Sequence, residues 1–216
     1  SQGGSVSLSS DGTILAVGAF GHDGNKGTVR IYTYNGTDWT QQGSDIDGVS
    51  NQDRQGQSVS LSSDGTTLAV GAYGHDGNKG TIRIYTHNGT AWNQQGLDLD
   101  DTASNDFQGG SVSLSSNGKT LAAGFYGHDD GKGTVRVYKY NGLTWTQQGS
   151  DIDGVSNQDR QGGSVSLSSS GTILAVGAFG HDGNKGTVRI YTYNGASWSQ
   201  QGNDLDGGVE GFNENG

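Results

Sequence analysis

The sequence predicts an all-β fold: a β-propeller of four blades, each with four strands. Two observations predict this fold. The chain consists of four repeats, and each repeat contains short apolar segments separated by Gly-rich turns. The repeat is marked by its tryptophans, which follow one another at intervals of 53 residues: Trp39, Trp92, Trp145 and Trp198. Four-stranded repeats of roughly 40 to 50 residues are typical of propeller blades. The alternatives are part of a larger propeller or a linear array of repeats.

The repeats divide the chain into four units of nearly equal length, and we expect a single repeat domain over residues 1–216. The units span approximately residues 4–56, 57–109, 110–162 and 163–216. The chain begins and ends at the same phase of the repeat, which suits a closed four-bladed ring and also a segment cut from a longer array. It has no initiator Met and no signal peptide, which indicates a mature or partial chain.

The elements of the first repeat follow from its apolar pattern. Val6 and Leu8 alternate with serines, as in a half-buried strand. The segment from Ile14 to Phe20 is continuously apolar or small, as in a strand covered on both faces, and Gly18 within it predicts the close approach of another backbone. The remaining elements are a turn at 10–13, a polar loop at 21–27, a strand at 28–34, a hairpin turn at 35–36, a strand at 38–43 and a polar linker at 44–55. No segment has helical periodicity.

The composition excludes several classes of protein. Gly accounts for 41 of the 216 residues, and Pro, Cys and Met are absent. Without Cys the chain has no disulfide framework and no thiolate metal site, and no apolar run reaches the roughly 18 residues of a membrane-spanning helix. The net charge of −10 argues against nucleic-acid binding, which requires a surface rich in Lys and Arg.

The second repeat carries a resemblance to a known family. Its segment 56–72, GQSVSLSSDGTTLAVGA, together with GTIRIY at 80–85, resembles the FG-GAP repeat, which builds integrin-α-type propellers and many secreted repeat proteins. The match recurs in all four repeats, although Phe20, Tyr73 and Phe179 replace the signature Pro and the integrin calcium loop between the first two strands is missing. A weaker resemblance to WD40 repeats covers the same strands. Both resemblances imply a propeller, and the first implies a secreted or cell-surface protein.

A polar loop with His, Asp, Asn and Lys recurs once per repeat and is a candidate ligand site. Such a loop can bind a sugar, an anion or a protein partner, and four copies would form a ring of equivalent sites. The alternative is a purely structural loop in which Gly and Asn supply positive φ angles. The candidate residues are His22, Asp23, Asn25, His75, Asp76, Asn78, His128, Asp129, His181, Asp182 and Asn184.

Two aspartates at alternate positions before a Gly or Asp, followed by a third Asp, form candidate calcium sites, because Ca²⁺ prefers oxygen ligands. The sets are Asp45, Asp47 and Asp53; Asp98, Asp100 and Asp106; and Asp151, Asp153 and Asp159. The full EF-hand pattern is absent. The alternative is that these carboxylates cap turns by accepting backbone N–H bonds. Calcium is the only cofactor that the sequence suggests.

The tryptophans Trp39, Trp92, Trp145 and Trp198, each near Asn, Asp and Gln, are further candidates for sugar binding. A Trp ring can face the C–H groups of a sugar while amides and carboxylates bind its hydroxyls. The alternative is that the rings pack between blades. The sequons at Asn35 and Asn88 predict glycosylation at hairpin tips if the protein passes through a eukaryotic secretory route.

The sequence contains no recognised catalytic motif, since it lacks a Gly-x-Ser-x-Gly elbow, a P-loop and a His-Glu-x-x-His motif. Near-identical repeats favour multivalent display, in which equal weak sites gain by avidity. We therefore expect a non-enzymatic, extracellular or cell-surface module with a structural or adhesive role, which assembles with proteins or matrix or with itself. The alternative is a lectin with one glycan site per blade. An enzyme on a propeller frame is a third hypothesis, based on fold analogy alone.

Overall fold

The computed structural model describes residues 2–101 and 105–208. It confirms the predicted fold class: in these residues the chain is a four-bladed β-propeller, and each blade is an antiparallel sheet built from one repeat. Each blade contains the four predicted strands and one further short strand.

The strands of each blade are as follows. Blade 1 contains β1 (Ser5–Leu8), β2 (Ile14–Ala19), β3 (Thr28–Tyr34), β4 (Trp39–Gln41) and β5 (Ile46–Asp47). Blade 2 contains β6 (Ser58–Leu61), β7 (Thr67–Ala72), β8 (Thr81–His87), β9 (Trp92–Gln94) and β10 (Leu99–Asp100). Blade 3 contains β11 (Ser111–Leu114), β12 (Thr120–Phe125), β13 (Thr134–Tyr140), β14 (Trp145–Gln147) and β15 (Ile152–Asp153). Blade 4 contains β16 (Gln161–Leu167), β17 (Ile173–Ala178), β18 (Thr187–Tyr193), β19 (Trp198–Gln200) and β20 (Leu205–Asp206).

A four-residue helical turn precedes the third strand of each blade, within the predicted polar loop. These turns are α1 (His22–Asn25), α2 (His75–Asn78), α3 (His128–Gly131) and α4 (His181–Asn184). The sequence did not predict them, because one turn is too short to show helical periodicity. In the part of the chain that the structure describes, no helix is long and apolar enough to cross a membrane.

Each blade is a meander whose first strand lies closest to the propeller axis. In blade 1, Val6 of β1 pairs with Val17 of β2, which pairs with Arg30 of β3. The first strands of neighbouring blades contact one another, so they surround the axis and the fourth strands lie outside. The additional strand β5 pairs with the beginning of β3 because Ile46, at 8% exposure, is buried against the next blade. The sequence pattern does not predict this strand, since two residues within a polar linker show no periodicity.

The apolar core lies between blades rather than within one. Each blade has a front face toward the preceding blade and a back face toward the following one. At the first seam, Val29 and Ile31 on the back face of blade 1 pack in one cluster with Val59 and Leu61 on the front face of blade 2. Similar clusters fill the next two seams. A repeat of this size therefore buries its faces only against a neighbour of like sequence.

Gly18 lies where two backbones approach closely, as its position in the second strand predicted. A Cβ atom at Gly18 would lie 2.1 Å from the carbonyl oxygen of Gly56 in the linker to blade 2. The next two seams repeat the arrangement, with 2.0 Å between the Cβ position of Gly71 and the Gly109 oxygen. Only a residue without a side chain fits there, so the linker packs directly against the second strand.

Among the described residues, nothing covers the two outer faces of the four-blade stack. Val6 on the front face of blade 1 is 64% exposed, whereas Val59 at the same position of blade 2 is 8% exposed. Val188 on the back face of blade 4 is 38% exposed, whereas Val29 at the same position of blade 1 is fully buried. Within residues 2–101 and 105–208, each sheet contains strands of one repeat only, so strand pairing does not close a ring between blades 4 and 1.

Candidate functional site

One end of the propeller, here called the upper face, is formed by the four His-containing loops and the linkers between blades. In the first loop, Asp23 and Gly24 have left-handed backbones with φ of 44° and 65°. The third loop has Asp130 in place of this Gly and still keeps a left-handed φ of 54°. The loop therefore has one backbone geometry in all four repeats.

The histidine of a loop lies against an aspartate from the preceding repeat. His75 Nδ1 is 3.0 Å from Asp53 Oδ1. The same contact measures 2.5 Å between His128 and Asp106, and 3.1 Å between His181 and Asp159. Each seam between described blades therefore contains a His–Asp pair that links two repeats.

Asp53 shows how the carboxylate of this pair is held. It is 2% exposed, and its Oδ2 accepts hydrogen bonds from the backbone N–H groups of Val49 and Ser50 at 3.1 and 3.0 Å. Arg83 approaches the same oxygen to 3.9 Å. The carboxylate thus caps the linker turn, as one reading of the sequence proposed, and also contacts His75 of the next blade. A buried charge bonded to both sides holds the two blades in register.

A buried arginine extends this network along the seam. Arg83 Nη1 donates to Gln55 Oε1 at 2.7 Å, and its Nε donates to Asp98 Oδ2 at 2.8 Å. Gln55 Nε2 in turn donates to the carbonyl oxygen of Ile46 at 2.9 Å. Every polar group in this chain of bonds has a partner, as burial requires. The seam between blades 3 and 4 repeats the bonds with Arg189, Gln161 and Asp204.

The seam between blades 2 and 3 departs from this pattern. Asp101 stands where the first and third repeats have Gly48 and Gly154, and Arg136 Nη1 donates to Asp101 Oδ2 at 3.2 Å. Gln108 is 1% exposed, and among the described residues neither its Oε1 nor its Nε2 has a hydrogen-bond partner. Leaving a buried amide unpaired costs about 1–3 kcal/mol. This seam therefore carries a local polar defect that the first and third seams lack.

The equivalent aspartates Asp106 and Asp159 differ in the direction of their pKa shift. Burial raises the pKa of Asp159, but hydrogen bonds such as that from the Ser156 N–H outweigh it, so the pKa lies below its usual value. Burial raises the pKa of Asp106, the bond to His128 lowers it, and the nearby Asp101 carboxylate raises it, so the pKa lies above its usual value. The like charge of Asp101 is the feature that the Asp159 site lacks.

In the described part of the chain, a polar groove lies on the upper face at each of the three seams, between a linker and the loop of the next blade. They have volumes of about 650, 440 and 490 Å³ in chain order. Amide and carboxylate groups line all three: Asn51, Gln52 and Asp76 at the first seam; Asn105, Asp129 and Gln158 at the second; Asn157, Gln158 and Asp182 at the third. The predicted loop residues at these seams therefore border one repeated type of groove.

A row of aromatic rings lies next to the loops and linkers, and two of its members, Phe107 and Tyr126, line the second groove. Ring centroids are 5.9 Å apart for Tyr73 and Phe107, 5.0 Å for Phe107 and Tyr126, and 6.3 Å for Tyr126 and Phe179. Phe107 and Tyr126 are stacked, with 3° between their planes. Arg160 lies over the Phe179 ring, 5.2 Å from its centroid. Three of these rings occupy the signature Pro position of the FG-GAP pattern.

The structure does not gather the predicted calcium ligands in the sets that the sequence suggested. Among the described residues, none of those three sets places its carboxylates within 4.8 Å of one another. The third Asp of each set contacts the following blade, whereas the first, such as Asp45, bonds an arginine of its own blade: Arg30 Nη2 donates to Asp45 Oδ2 at 2.7 Å. Asp47, Asp100 and Asp153 are exposed.

Among residues 2–101 and 105–208, each group of three side chains that does gather includes a histidine. The groups are Asp101 with Asp106 and His128, His128 with Asp151 and Asp153, and His181 with Asp204 and Asp206. Two of these groups join the first two aspartates of a repeat to the histidine of that same repeat, whereas the third Asp of a set, such as Asp106, lies with the histidine of the following repeat. Whether any of these carboxylates binds calcium stays a prediction.

The tryptophans lie far from the His loops. Trp39 pairs with Tyr34 at the end of β3, whereas loop α1 precedes the start of that seven-residue strand, about 20 Å away at roughly 3.3 Å per residue.

The tryptophan rings instead pack at the outer edge of the seams. Trp145 is 8% exposed, and Trp198 Nε1 donates to the carbonyl oxygen of Gln148 in the preceding blade at 3.0 Å. Trp92 packs against the first core cluster, and Trp39, with no blade before it, is 42% exposed. Trp and His residues therefore do not form one site.

The two sequon asparagines occupy exposed hairpin tips at the lower end of the propeller. Asn35 Oδ1 accepts hydrogen bonds from the N–H groups of Thr37 and Asp38, both at 2.9 Å. Asn88 Oδ1 accepts the equivalent bonds at 3.0 Å. The side-chain oxygen of each asparagine shapes its turn. Glycosylation at these positions stays a prediction.

The buried Arg and Gln of the seams were not predicted as functional or structural residues from the sequence. The arginines recur at the 53-residue spacing, as Arg30, Arg83, Arg136 and Arg189, and the glutamines as Gln55, Gln108 and Gln161. This period was the available signal. It was overlooked because charged and amide residues in strands and linkers are usually exposed.

Comparison with solved structures supports the propeller fold. The chain superposes on a protein from Bacteroides uniformis ATCC 8492, described as a candidate 6-phosphogluconolactonase, with a TM-score of 0.63 and 13% identity over 94% of this chain and 54% of that one. TolB from Acinetobacter baumannii matches with a TM-score of 0.54 and 12% identity over 91% of this chain and 42% of that one. The chain thus spans about half the length of these structures or less, and identities this low show the fold alone. No protein-family model and no curated protein matches the chain, so the FG-GAP relation stays a resemblance.

Proposed function

We propose that the protein is a non-enzymatic interaction module of an extracellular or cell-surface assembly, and that its upper face binds a protein partner at several equivalent grooves. The observation that carries this proposal is the repetition of one groove at three seams. Each groove presents an exposed loop carboxylate at the same position, from Asp76, Asp129 or Asp182. Equal weak sites spaced one blade apart gain by avidity when the partner is itself repetitive.

The grooves are held in shape by bonds between loop and linker. Arg54 N–H donates to the carbonyl oxygen of Asn25 at 2.9 Å, and Gln52 Nε2 donates to that of Gly24 at 3.3 Å. At the third linker, Gln158 Nε2 donates to the carbonyl oxygen of Asp130 at 2.6 Å. A surface ordered before binding loses less conformational entropy on association. This favours recognition by the grooves over a role as mobile loops.

The charge of the upper face favours a basic partner. The chain carries a net charge of −10, and the loop carboxylates are exposed. Asp76 and Asp182 each pair with the lysine of their own loop, Lys79 and Lys185, at 2.7 and 2.6 Å. Exposed ion pairs of this kind are weak, so basic groups of a partner can replace these lysines. A partner with Lys or Arg side chains spaced to match the blades would meet complementary charge.

The use of the titratable groups favours binding over catalysis. Asp53 contacts both His75 and Arg83 and caps the linker backbone, which gives these groups a structural role. The same arrangement recurs at the third seam with Asp159, His181 and Arg189. Catalysis requires different groups assembled around one reacting atom. Here the same set of Asp, His and Arg recurs at both seams and holds the linker in place.

The experiment that tests the proposal is binding to an array of purified extracellular-matrix proteins. The variant combines Asp76→Asn, Asp129→Asn and Asp182→Asn, because Asn tolerates the left-handed backbone at these positions. Its matched control combines Asp47→Asn, Asp100→Asn and Asp153→Asn, which removes three exposed carboxylates outside the grooves. We expect the loop variant to lose at least about tenfold in apparent affinity and the control to bind as the wild type does. Absence of binding to every protein on the array, or unchanged binding by the loop variant, would contradict the proposal.

A lectin is the second candidate function, favoured by the groove at the second seam. There the stacked rings of Phe107 and Tyr126 lie beside Asp129 and Gln158, and aromatic faces next to polar groups suit a sugar ring. The test is a glycan array probed with Phe107→Arg, which installs the residue found at the equivalent positions 54 and 160. The lectin hypothesis predicts a glycan signal that this variant loses. No signal, or an equal one from the variant, would rule it out.

A further inference from the structure

The back face of blade 4 is an uncovered copy of a surface that is buried elsewhere in the chain. Val188 and Leu205 on this face are 38% and 61% exposed. The residues at the same positions of blade 1 are Val29, fully buried, and Ile46, 8% exposed. A concavity lined by Ala178, Val188 and Leu205 remains on this face. This face therefore has the apolar residues of an internal seam, but they are exposed instead of packed against another blade.

The front face of blade 1 is uncovered in the same way. Val6 and Leu8 are 64% and 56% exposed, whereas Val59 and Leu61 at the same positions of blade 2 are 8% and 7% exposed. Residues 5–10 and 58–63 have the same sequence, SVSLSS. Blade 2 uses this segment to cover the back face of blade 1. Blade 1 carries the same segment on its own front face, where it is exposed.

The two uncovered faces match because blade 4 repeats blade 1. Residues 173–195 are identical to residues 14–36, so the second and third strands of blade 4 carry the back-face residues of blade 1. A contact between the back face of blade 4 and the front face of blade 1 would therefore place Val188 against the strand that carries Val6 and Leu8. The strand segments that meet in such a contact repeat those of the first seam inside the chain.

The polar contacts of the internal seams can also be repeated. Leu61 N–H donates to Ser7 Oγ of the preceding blade at 2.9 Å. The same bond, also 2.9 Å, recurs at the next two seams, from Leu114 to Ser60 and from Leu167 to Ser113. At the two ends of the chain of blades, Leu8 of blade 1 occupies the donor position of this bond and Ser166 of blade 4 the acceptor position. Both residues are exposed.

We propose that the back face of blade 4 binds the front face of blade 1 of a second copy of this chain, head to tail. A contact between different faces generates a ring when the rotation closes. The chain covers 54% of the length of a solved structure of this fold, and a ring of two four-bladed copies contains two such seams, so we expect a dimer. This inference does not depend on the partner proposed for the upper face, because its measurement is the mass of the protein alone.

The experiment measures mass in solution by sedimentation over a wide range of concentration. The wild type should approach twice the chain mass of 22.3 kDa as concentration rises. Val6→Asp and Val188→Asp each block one face, and each should weaken self-association by roughly 100-fold or more, because an unpaired carboxylate would be buried. An equimolar mixture of the two variants retains one native seam and should again form dimers.

A matched control and thermal melts keep the test decisive. Leu143→Asp removes an equally apolar residue that is 83% exposed on a hairpin tip, and it should dimerise as the wild type does. Melting curves show that each variant is folded. A wild type that stays monomeric throughout would overturn the proposal. Single variants that still dimerise, or a mixture that does not, would also overturn it, since both outcomes exclude a contact between these two different faces.

Discussion

Arg136 Nη1 donates to Asp101 Oδ2 at 3.2 Å, in the seam between blades 2 and 3. In the first seam the corresponding atom of Arg83 donates to Gln55 instead, at 2.7 Å. The carboxylate of Asp101 thus draws the arginine away from the buried glutamine of the linker. Gln108 is left without a hydrogen-bond partner among the described residues, and a single Gly-to-Asp difference changes the polar network of a whole seam.

Replacing Asp101 by Gly should stabilise the protein. The change frees Arg136 to bond Gln108. This removes the cost of an unpaired buried amide, which is about 1–3 kcal/mol. The loss of backbone restriction at Gly offsets part of this, about 0.5–1 kcal/mol. We expect a net gain of about 1 kcal/mol in the free energy of unfolding, measured by urea denaturation.

The reverse change supplies the matched control. Gly154→Asp introduces the same carboxylate at the seam between blades 3 and 4, where a Cβ atom would lie 2.2 Å from the carbonyl oxygen of Lys132. We expect it to cost about 2 kcal/mol or more. Stabilisation by Gly154→Asp, or destabilisation by Asp101→Gly, would show that the carboxylate is favourable at this position.

Asp106 and Asp159 should titrate in different pH ranges. The pKa of Asp106 is raised in the folded protein, so at a pH above this pKa its ionised form lowers the free energy of unfolding. This loss of stability is relieved as the pH falls through the raised pKa. The pKa of Asp159 is lowered, so its ionised form stabilises the fold above the usual value of 3.8, and the contribution is lost as pH falls through the lowered pKa. NMR titration of the side-chain carboxyl carbons should place Asp159 below Asp106. In Asp101→Gly the pKa of Asp106 should fall; an unchanged value would mean that the like charge has no effect.

Removal of Trp145 should cost far more than removal of Trp39. Each ring contacts a tyrosine on the neighbouring strand of its own blade, Tyr140 at 5.3 Å and Tyr34 at 5.2 Å, so this contact cancels in the comparison. Trp145 is also buried at a seam, and Trp145→Ala should cost about 3–5 kcal/mol. Trp39→Ala should cost about 1 kcal/mol, measured by denaturation at a dilution at which the chain is monomeric. Equal losses would show that packing between blades contributes little at this position.

Gly71 should not tolerate a side chain, whereas Gly177 should. The Cβ of Gly71→Ala would lie 2.0 Å from the backbone carbonyl oxygen of Gly109, and that backbone cannot move away without opening the seam. In Gly177→Ala the nearest atom is Ser164 Oγ, at 2.3 Å, and the serine side chain can rotate. We expect losses of about 2–4 kcal/mol and at most about 1 kcal/mol respectively. Thermal melts of the two variants, at a dilution at which the chain is monomeric, check this, and a similar loss in both would argue against backbone contact as the cause.

Calcium should leave the melting temperature unchanged. Carboxylates at the first position of these sets are already paired with an arginine. Asp98 pairs with Arg83 and its equivalent Asp204 pairs with Arg189, both at 2.8 Å. Binding to the folded state at a hundredfold excess over Kd would stabilise it by about 2.7 kcal/mol, which thermal melts in EDTA and in excess calcium would detect. A rise with calcium that is lost in Asp153→Asn would instead locate a metal site at the group of His128, Asp151 and Asp153.

The strands and turns of each repeat could be predicted because their signals are local. Alternation at Val6 and Leu8 marks a strand, and the pair at 35–36 marks a hairpin, wherever they occur in the fold. The short strand at Ile46 and the helical turn at His22 escaped prediction because two to four residues carry too little periodicity.

The sequence by itself determined the repeat, its strands and the need for a like neighbour, since these follow from spacing and apolar pattern. The tertiary structure alone decided which groups meet across a seam: Asp53 contacts His75 of the next repeat and does not join Asp45. It also decided which faces are covered. Val29 and Val188 have identical neighbours in sequence, yet one is fully buried and the other 38% exposed. Burial depends on whether another blade lies against the face, and no pattern within a repeat encodes that.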